Sequence, residues 1–445
     1  MKKIFASLLA GAAVLSLAAC GANAATGTTT NTTTTGGNTT TTSTATTTTE
    51  TRTKVFTPVS KANIKVGLIT LHDETSTYDK NFIDSMKRAV SELGLSESQL
   101  LVRSGIDEDN SCYEAASQLA LTCNVVFADS FGHEDFLIDA AEEHEDVLFA
   151  HATGTKAHTE NLTNFGNAFA SIYEGRYLAG IAAGMKLNEM IQAGQFQASE
   201  AKMGYVGAFP YAEVISGYTS FYLGAKSVCP SVTMEVQFTN SWFNIELEGQ
   251  AANNLIQRGA KLISQHADSM GAPNACETAG VPNVTYNGST AAHCPNTYIV
   301  SSKIDWTPYF KYLIQSRIDG YSVEKDWTGN LSNGAVALDA VGSHAATGTQ
   351  AAIDAAKAQL IAGTLNVFDT SKFTVSTRGN GTTTFFNLNA TVDSSNRVTG
   401  YLADVNSDPD YTGDTQVVAN GVFKESVFRS APYFDLHIDG ITTLN

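Results

Sequence analysis

Aromatic side chains recur in this sequence beside small polar ones, in short stretches that each follow an apolar run. They are Leu71-His72-Asp73 with Tyr78-Asp79-Lys80-Asn81-Phe82, Asp129-Ser130-Phe131-Gly132 and His151-Ala152-Thr153-Gly154. Further along come Phe209-Pro210-Tyr211, Asn240-Ser241-Trp242-Phe243, Gln265-His266-Ala267-Asp268-Ser269 and Tyr286-Asn287-Gly288-Ser289. Rings can cover the faces of a flat heterocycle or a sugar, while Asp, Ser and Asn satisfy its hydrogen-bonding edge. Stacking a base on a ring contributes about 1–3 kcal/mol in comparable nucleic-acid contacts. The chemistry these residues suit is therefore reversible binding.

Bond-making chemistry finds less support. His133, His144, His151 and His158 lie close in sequence, but their spacings match no metal-ligand pattern, and no CxxC or HExxH spacing occurs. His144 sits among Glu142, Glu143, Glu145 and Asp146 and reads as a solvated helix end, whereas His151 and His266 stand at strand exits within reach of a ligand. No GxSxG elbow, P-loop or GxGxxG is present, and Ser322-Val323-Glu324-Lys325 has SxxK spacing only in a polar loop. No catalytic residue, metal or cofactor is assigned. A hydrolase or a ligand-sensing receptor on a similar two-lobed frame is the competing expectation.

The elements that must present these stretches alternate in type. Ile64 to Thr70 reads as a strand, and Phe82, Ile83, Met86, Ala89, Val90 and Leu93 then repeat at helical spacing. Ser111 is placed to cap a helix from Cys112 through Leu121, before a buried-type strand Val125 to Ala128. A helix from Phe136 to Glu142, a strand from Val147 to Ala150 and a long helix from about Ala168 to Met190 follow. The alternation restarts with a strand from Lys202 to Gly207 and runs through the helix Tyr309 to Ile318. Two such runs imply two doubly wound parallel sheets covered by helices, with the ligand beyond the carboxyl ends of their strands.

The N-terminus predicts the compartment. Lys2 and Lys3 precede an apolar run from Ile4 to Leu17, as in a secretory signal over 1–19. Leu17-Ala18-Ala19-Cys20 resembles a bacterial lipobox, with Cys20 as the acylated anchor to the membrane's outer face. A Thr-rich stretch within 20–60 cannot bury a core and reads as a disordered tether. The formal charge is −17, from 27 basic and 44 acidic residues, and losing the two signal lysines makes it about −19. That surface argues against nucleic acid as a partner. Five cysteines remain after Cys20: Cys112, Cys123, Cys229, Cys276 and Cys294. Cys112 and Cys123 bracket a helix and stand about 15 Å apart, beyond disulfide reach, so Cys276 with Cys294 is the better pair.

Four segments carry a family resemblance. Tyr78-Asp79-Lys80-Asn81-Phe82 is similar to the Asp-Lys-Ser-Phe signature of the basic membrane protein family of ABC substrate-binding lipoproteins. Tyr173-Glu174-Gly175-Arg176-Tyr177-Leu178-Ala179-Gly180 resembles its Glu-Gly-x-x-Leu-Ala-Gly segment. Gln265 to Ser269 and Trp306-Thr307-Pro308-Tyr309-Phe310 resemble the branch associated with purines. The likeness runs from about Lys61 to Asp339. It implies a type I periplasmic-binding fold, a purine base or nucleoside as ligand, and an ABC permease as partner, the protein acting as a monomer. It also implies that Phe82 and Trp242 or Phe243 stack the base, and that Asp268 and Ser269 hydrogen-bond it. Asn287 stands where some members carry a ribose-binding Asp, and Lys303 lies near a family lysine. Asp79, Ser130, Phe131 and Trp306 complete the candidate set. The expected lobes are 61–198 plus about 303–335, and 199–302 plus about 336–445, with no role read for the chain after about Lys372.

Overall fold

A computed structural model describes residues 52–375, 387–405 and 412–445. The signal segment, Cys20 and most of the expected tether lie outside the described residues. The first sheet is built from β1 (Val66–Thr70), β2 (Leu100–Ser104), β3 (Val125–Ala128), β4 (Leu148–Ala152) and β5 (Phe165–Ala170). Helices α1 (Thr77–Glu92), α2 (Asn110–Ala120), α3 (Glu134–Glu143) and the short α4 (Ala157–Glu160) connect them. After α5 (Ile172–Gln192) the second sheet takes β6 (Lys202–Gly207), β7 (Thr233–Phe238), β8 (Leu262–Gln265), β9 (Asn283–Tyr286) and β10 (Tyr298–Ile304). Its connectors are α6 (Ala212–Val228), α7 (Ile245–Gln257) and α8 (Gly271–Ala279).

The chain then returns. Helix α9 (Thr307–Asp319) packs on α1, and β11 (Asp326–Gly329) adds a parallel edge to β5. Strand β12 (Val336–Leu338) crosses back to pair antiparallel with β10. The sheet orders are β11-β5-β4-β3-β1-β2 and β12-β10-β9-β8-β6-β7-β18, where β18 (Ile441–Thr443) is the last strand of the chain. Three chain crossings, at Ser171, after Ile304 and between β11 and β12, therefore join two lobes. Helix α10 (Thr349–Ile361) packs on α5, and the tail adds β13 (Ala390–Val392), β14 (Val398–Ala403), β15 (Thr415–Gln416), β16 (Val418–Ala419) and β17 (Val422–Phe423).

Several expectations change here. The run from about Ala168 to Met190 reads as one helix, yet β5 takes Ala168–Ala170 and α5 begins only after Ser171. Cross-strand pairing with β4 and β11 on both sides overrides the local propensity. Helix α5 belongs with the second lobe, packing on α6, β10 and β12, so the crossing comes near 171 and not near 198. The tether ends earlier than expected, because Val55 and Phe56 both donate N–H to Gly320 O at 3.0 Å and Phe56 is buried beneath Arg317. Asp109, rather than Ser111, caps α2 by accepting from Ser111 N. Cys276 and Cys294, like the other three described cysteines, are free thiols. Burial raises the Cys276 thiol strongly, and the Cys294 Sγ instead faces Asn274 Oδ1 at 3.9 Å.

The C-terminal segment reaches both lobes. Strand β18 extends the second sheet beyond β7, and Ser216 Oγ of α6 donates to Glu425 at 2.6 Å. On the first lobe, Asp326 of β11 accepts from both N and Oγ of Ser430, and His158 Nδ1 lies 2.8 Å from its other oxygen. Burial pushes the Glu425 carboxyl up to about 7, while hydrogen bonds from Ser216 and Ser426 oppose the shift and the nearby Glu174 and Glu213 add to it. The folded state thus holds a proton that the unfolded chain releases near pH 4.5, and it loses stability as pH rises from there toward 7. The effect is on the order of 3 kcal/mol. Glu425→Gln is expected to flatten this dependence and to raise the melting temperature at pH 8 more than at pH 5. Thermal melts at the two pH values check it.

Candidate functional site

The carboxyl ends of both parallel sheets face one another across a narrow cleft. The first lobe contributes Leu71, His72, Tyr78, Asp79, Ser130, Phe131 and Thr153. The second contributes Glu213, Trp242, His266 and Asp268. Tyr78 and Asp79 stand in the first turn of α1 and Glu213 in the first turn of α6, and the others follow strand ends, where the backbone leaves the ladder and side chains turn outward. Thr153 takes a left-handed backbone, φ 64°, immediately after β4. A β-branched residue resists that conformation, so the surrounding contacts must hold it there.

The lobes are in contact around this space. Thr77 N and Oγ1 both donate to Asp268 O, at 3.0 and 3.1 Å, and Asn81 Nδ2 donates to Ile304 O at 2.6 Å. A row of rings spans the mouth. Phe131 stacks on Tyr211 of the other lobe at 5.3 Å, Tyr211 on Phe209 at 5.2 Å, and Phe209 meets Trp242 edge-on at 5.0 Å. His72 and Phe243 close a second side with centroids 5.2 Å apart.

The walls are acidic. Burial would raise the Asp79 carboxyl, but hydrogen bonds from His72 and Ser76 outweigh it and hold the group below its usual range. Asp268 moves the other way, pushed well up by burial and by the charges of Asp79, Glu248 and Glu213. Asp129, directly beneath, is raised by burial and by Asp79, and its Oδ1 accepts from Leu71 N at 3.2 Å. Tyr78 is fixed by donating Oη–H to Asp129 O at 2.8 Å. Such a lining accepts hydrogen bonds from a ligand's N–H and O–H groups and repels anions.

The candidate residues divide. Asp79, Ser130, Phe131, Trp242 and Asp268 come together on the cavity wall, and Phe243 stands at the rim against His72. Phe82 and Trp306 are not lining residues. They stack on each other at 4.4 Å, fully buried in the first lobe's core with Phe127 and Phe310. Helical periodicity places Phe82 on the inward face of α1, where the signature motif alone suggested a ligand contact. Ser269 is turned away, its Oγ accepting from Gly271 N and its N–H donating to the buried Glu248. Asn287 follows β9 with φ 61° and donates its N–H to Ser302 O at 2.9 Å. Lys303 pairs with Asp339 across the β10–β12 ladder. His151 is buried behind the wall and donates Nε2–H to Ser130 O at 2.6 Å. His72, Tyr78, Thr153 and His266 stand at strand exits that the sequence marks, though outside the candidate set. Glu213 is missed altogether, although an acidic residue in the first turn of a helix that follows a strand exit is its signal.

A sequence model of the family described as "ABC transporter substrate-binding protein PnrA-like" matches residues 66–367. The chain belongs to this family. A protein of Haloferax volcanii, provisionally named an ABC transporter glucose-binding protein, is 32% identical over 250 residues, covering 56% of this chain and 60% of its own. A purine-binding protein of Brucella abortus is 32% identical over 206 residues, covering 46% of this chain and 55% of its own. The chain thus spans little more than half the length of these relatives. Among solved structures, an ABC transporter solute-binding protein from Aeropyrum pernix superposes with a TM-score of 0.58 at 14% identity, over 68% of this chain and 92% of that one. The fold is the type I periplasmic-binding arrangement that family membership implies. Among the described residues no helix is long and apolar enough to cross a membrane.

The core and wall assignments separate by measurement. Phe82→Ala is expected to destabilise the fold by about 3–5 kcal/mol, as large-to-small core changes do. Trp242→Ala, at a half-buried wall position, is expected to cost about 1 kcal/mol or less. Urea denaturation compares them, and equal losses would contradict the division.

Proposed function

We propose that the protein is an extracytoplasmic solute-binding lipoprotein that captures a purine base or nucleoside between its lobes and delivers it to an ABC importer. The observation that carries this reading is the cavity itself, where Tyr78, Phe131 and Trp242 bring rings, and Asp79, Glu213 and Asp268 bring acceptors, from both lobes. A purine offers flat faces to the rings and N–H groups to the carboxylates, and ribose adds hydroxyl donors. Because both lobes hold ligand-facing groups, bound ligand favours the closed arrangement by its differential affinity for the two states. The acidic surface, the purine-binding relative and the absence of a free lysine or arginine among the lining residues support a neutral ligand. Cys20 would hold the protein to the membrane, with two or more acyl chains supplying stable anchoring.

A second reading is a hexose, favoured by the relative named for glucose and by a wall in which a tryptophan accompanies three carboxylates. Calorimetric titration with adenosine, guanosine, inosine, their bases, glucose and galactose discriminates the two. A nucleoside or base is expected to bind at micromolar Kd or tighter and to be recovered unchanged; binding by hexoses alone, or hydrolysis of the nucleoside, would reject the purine-binding role. Trp242→Ala is expected to weaken the hit by about 1–3 kcal/mol, roughly 5- to 150-fold. Cys20→Ser is expected to release the protein from the membrane fraction, and continued retention would remove the lipid anchor from the account.

A further inference from the structure

Behind the cavity's second-lobe wall lies a fully buried arginine. Arg176 projects from the first turns of α5 toward the end of β8, its guanidinium 3.8 Å from the Tyr286 ring centroid and 5.7 Å from that of Tyr205. Its Nη2 is 3.0 Å from Gln265 O and 3.2 Å from His266 Nδ1. A guanidinium has donors only and keeps its charge, so the nitrogen it approaches must offer a lone pair. The second donor near that atom is Tyr205 Oη at 3.4 Å. On the far side of the ring, Nε2 lies 3.3 Å from Glu213 Oε1, an acceptor on the cavity wall.

Resting on the binding function proposed above, we infer that Arg176 is a positioning residue that fixes His266 as its Nε2–H tautomer and thereby aims Glu213 into the cleft. The opposite tautomer would set an N–H against the guanidinium and a lone pair against the carboxylate, two repulsive contacts inside a buried site. Full protonation would add a second cation beside the first. Burial also favours the neutral ring, against the pull of Glu213. With the tautomer fixed, the ring donates to Glu213, and the wall offers Glu213 as an acceptor to the ligand's N–H and O–H donors. Arg176 therefore selects the ligand's hydrogen-bonding edge without touching the ligand.

The test uses the full chain labelled with 15N at histidine, long-range 1H–15N spectra, and calorimetric titration with inosine and adenosine. His266, identified by the resonances lost in His266→Gln, is expected to show the Nε2–H pattern in the unliganded wild type. Arg176→Met is expected to yield mixed or inverted tautomers and to weaken nucleoside binding tenfold or more, with Arg176→Lys restoring part of both. His266→Gln, whose amide can stand where Nε2 stood, is expected to bind nucleoside tenfold or more tightly than His266→Asn, whose amide cannot reach Glu213. An Nδ1–H or doubly protonated His266 in the wild type, or Arg176→Met with tautomer and affinity unchanged, overturns the assignment. Should Arg176→Met fail to fold, equal losses in the Gln and Asn variants overturn it. If neither nucleoside binds the wild type, the ligand reading fails while the spectrum still decides the tautomer.

Discussion

The two lobes depend on one close approach, the crossing of α5 and α6. A methyl group added at Gly180 would lie 2.0 Å from Phe221 O, and one at Gly224 would lie 2.0 Å from Tyr177 O. The backbones of the two helices therefore touch, with no room for any side chain between them. This contact sets where the chain first leaves the first lobe, since α5 begins one residue after β5 and lies wholly on the second. It also brings the start of α5, with Arg176, beside the start of α6, with Glu213. The back wall of the cleft is assembled from helix starts held together by two missing side chains.

Around that wall the energetics are electrostatic. Asp79, Asp129, Glu248 and Asp268 crowd a space largely shielded from water, and desolvation penalises each charge. Two devices offset the penalty. Backbone and hydroxyl donors hold Asp79 ionised, while Asp129 and Asp268 move toward their neutral forms. A single buried guanidinium beside the wall, Arg176, supplies opposing charge to Asp268 and disfavours protonation of His266. A ligand rich in hydrogen-bond donors would relieve the same crowding from the open side.

The contacts that close the mouth are modest: one ring stack, Phe131 on Tyr211, one tilted ring pair, His72 with Phe243, and a few hydrogen bonds from the start of α1 to Asp268 O and Ile304 O. Interactions of this size would permit the opening that the proposed binding function requires. The C-terminal segment adds a further tie, joining α6 at Ser216 and β11 at Asp326. It gives a structural place to a part of the chain that carried no readable motif.

Much of this was legible in the residues. Alternating apolar runs and helical periodicities predicted two parallel sheets, because burial on both faces demands continuous apolar strands and amphipathic helices. The strand exits carrying Asp79, Ser130, Phe131, Trp242 and Asp268 were visible for the same reason. What tertiary structure decided was direction and partnership. Phe82 sits in the right motif, yet its place on the inner face of α1 sends it to Trp306 and the core. Phe165–Ala170 is a strand only because β4 and β11 flank it. Glu213, Arg176 and His266 lie far apart in sequence and become one hydrogen-bonded chain only when α5, α6 and β8 converge. Local sequence determines which elements form and which residues stand at their ends, since propensity and periodicity act over a few residues. Which side chains share a cavity depends on packing between distant elements, and no local pattern encodes that.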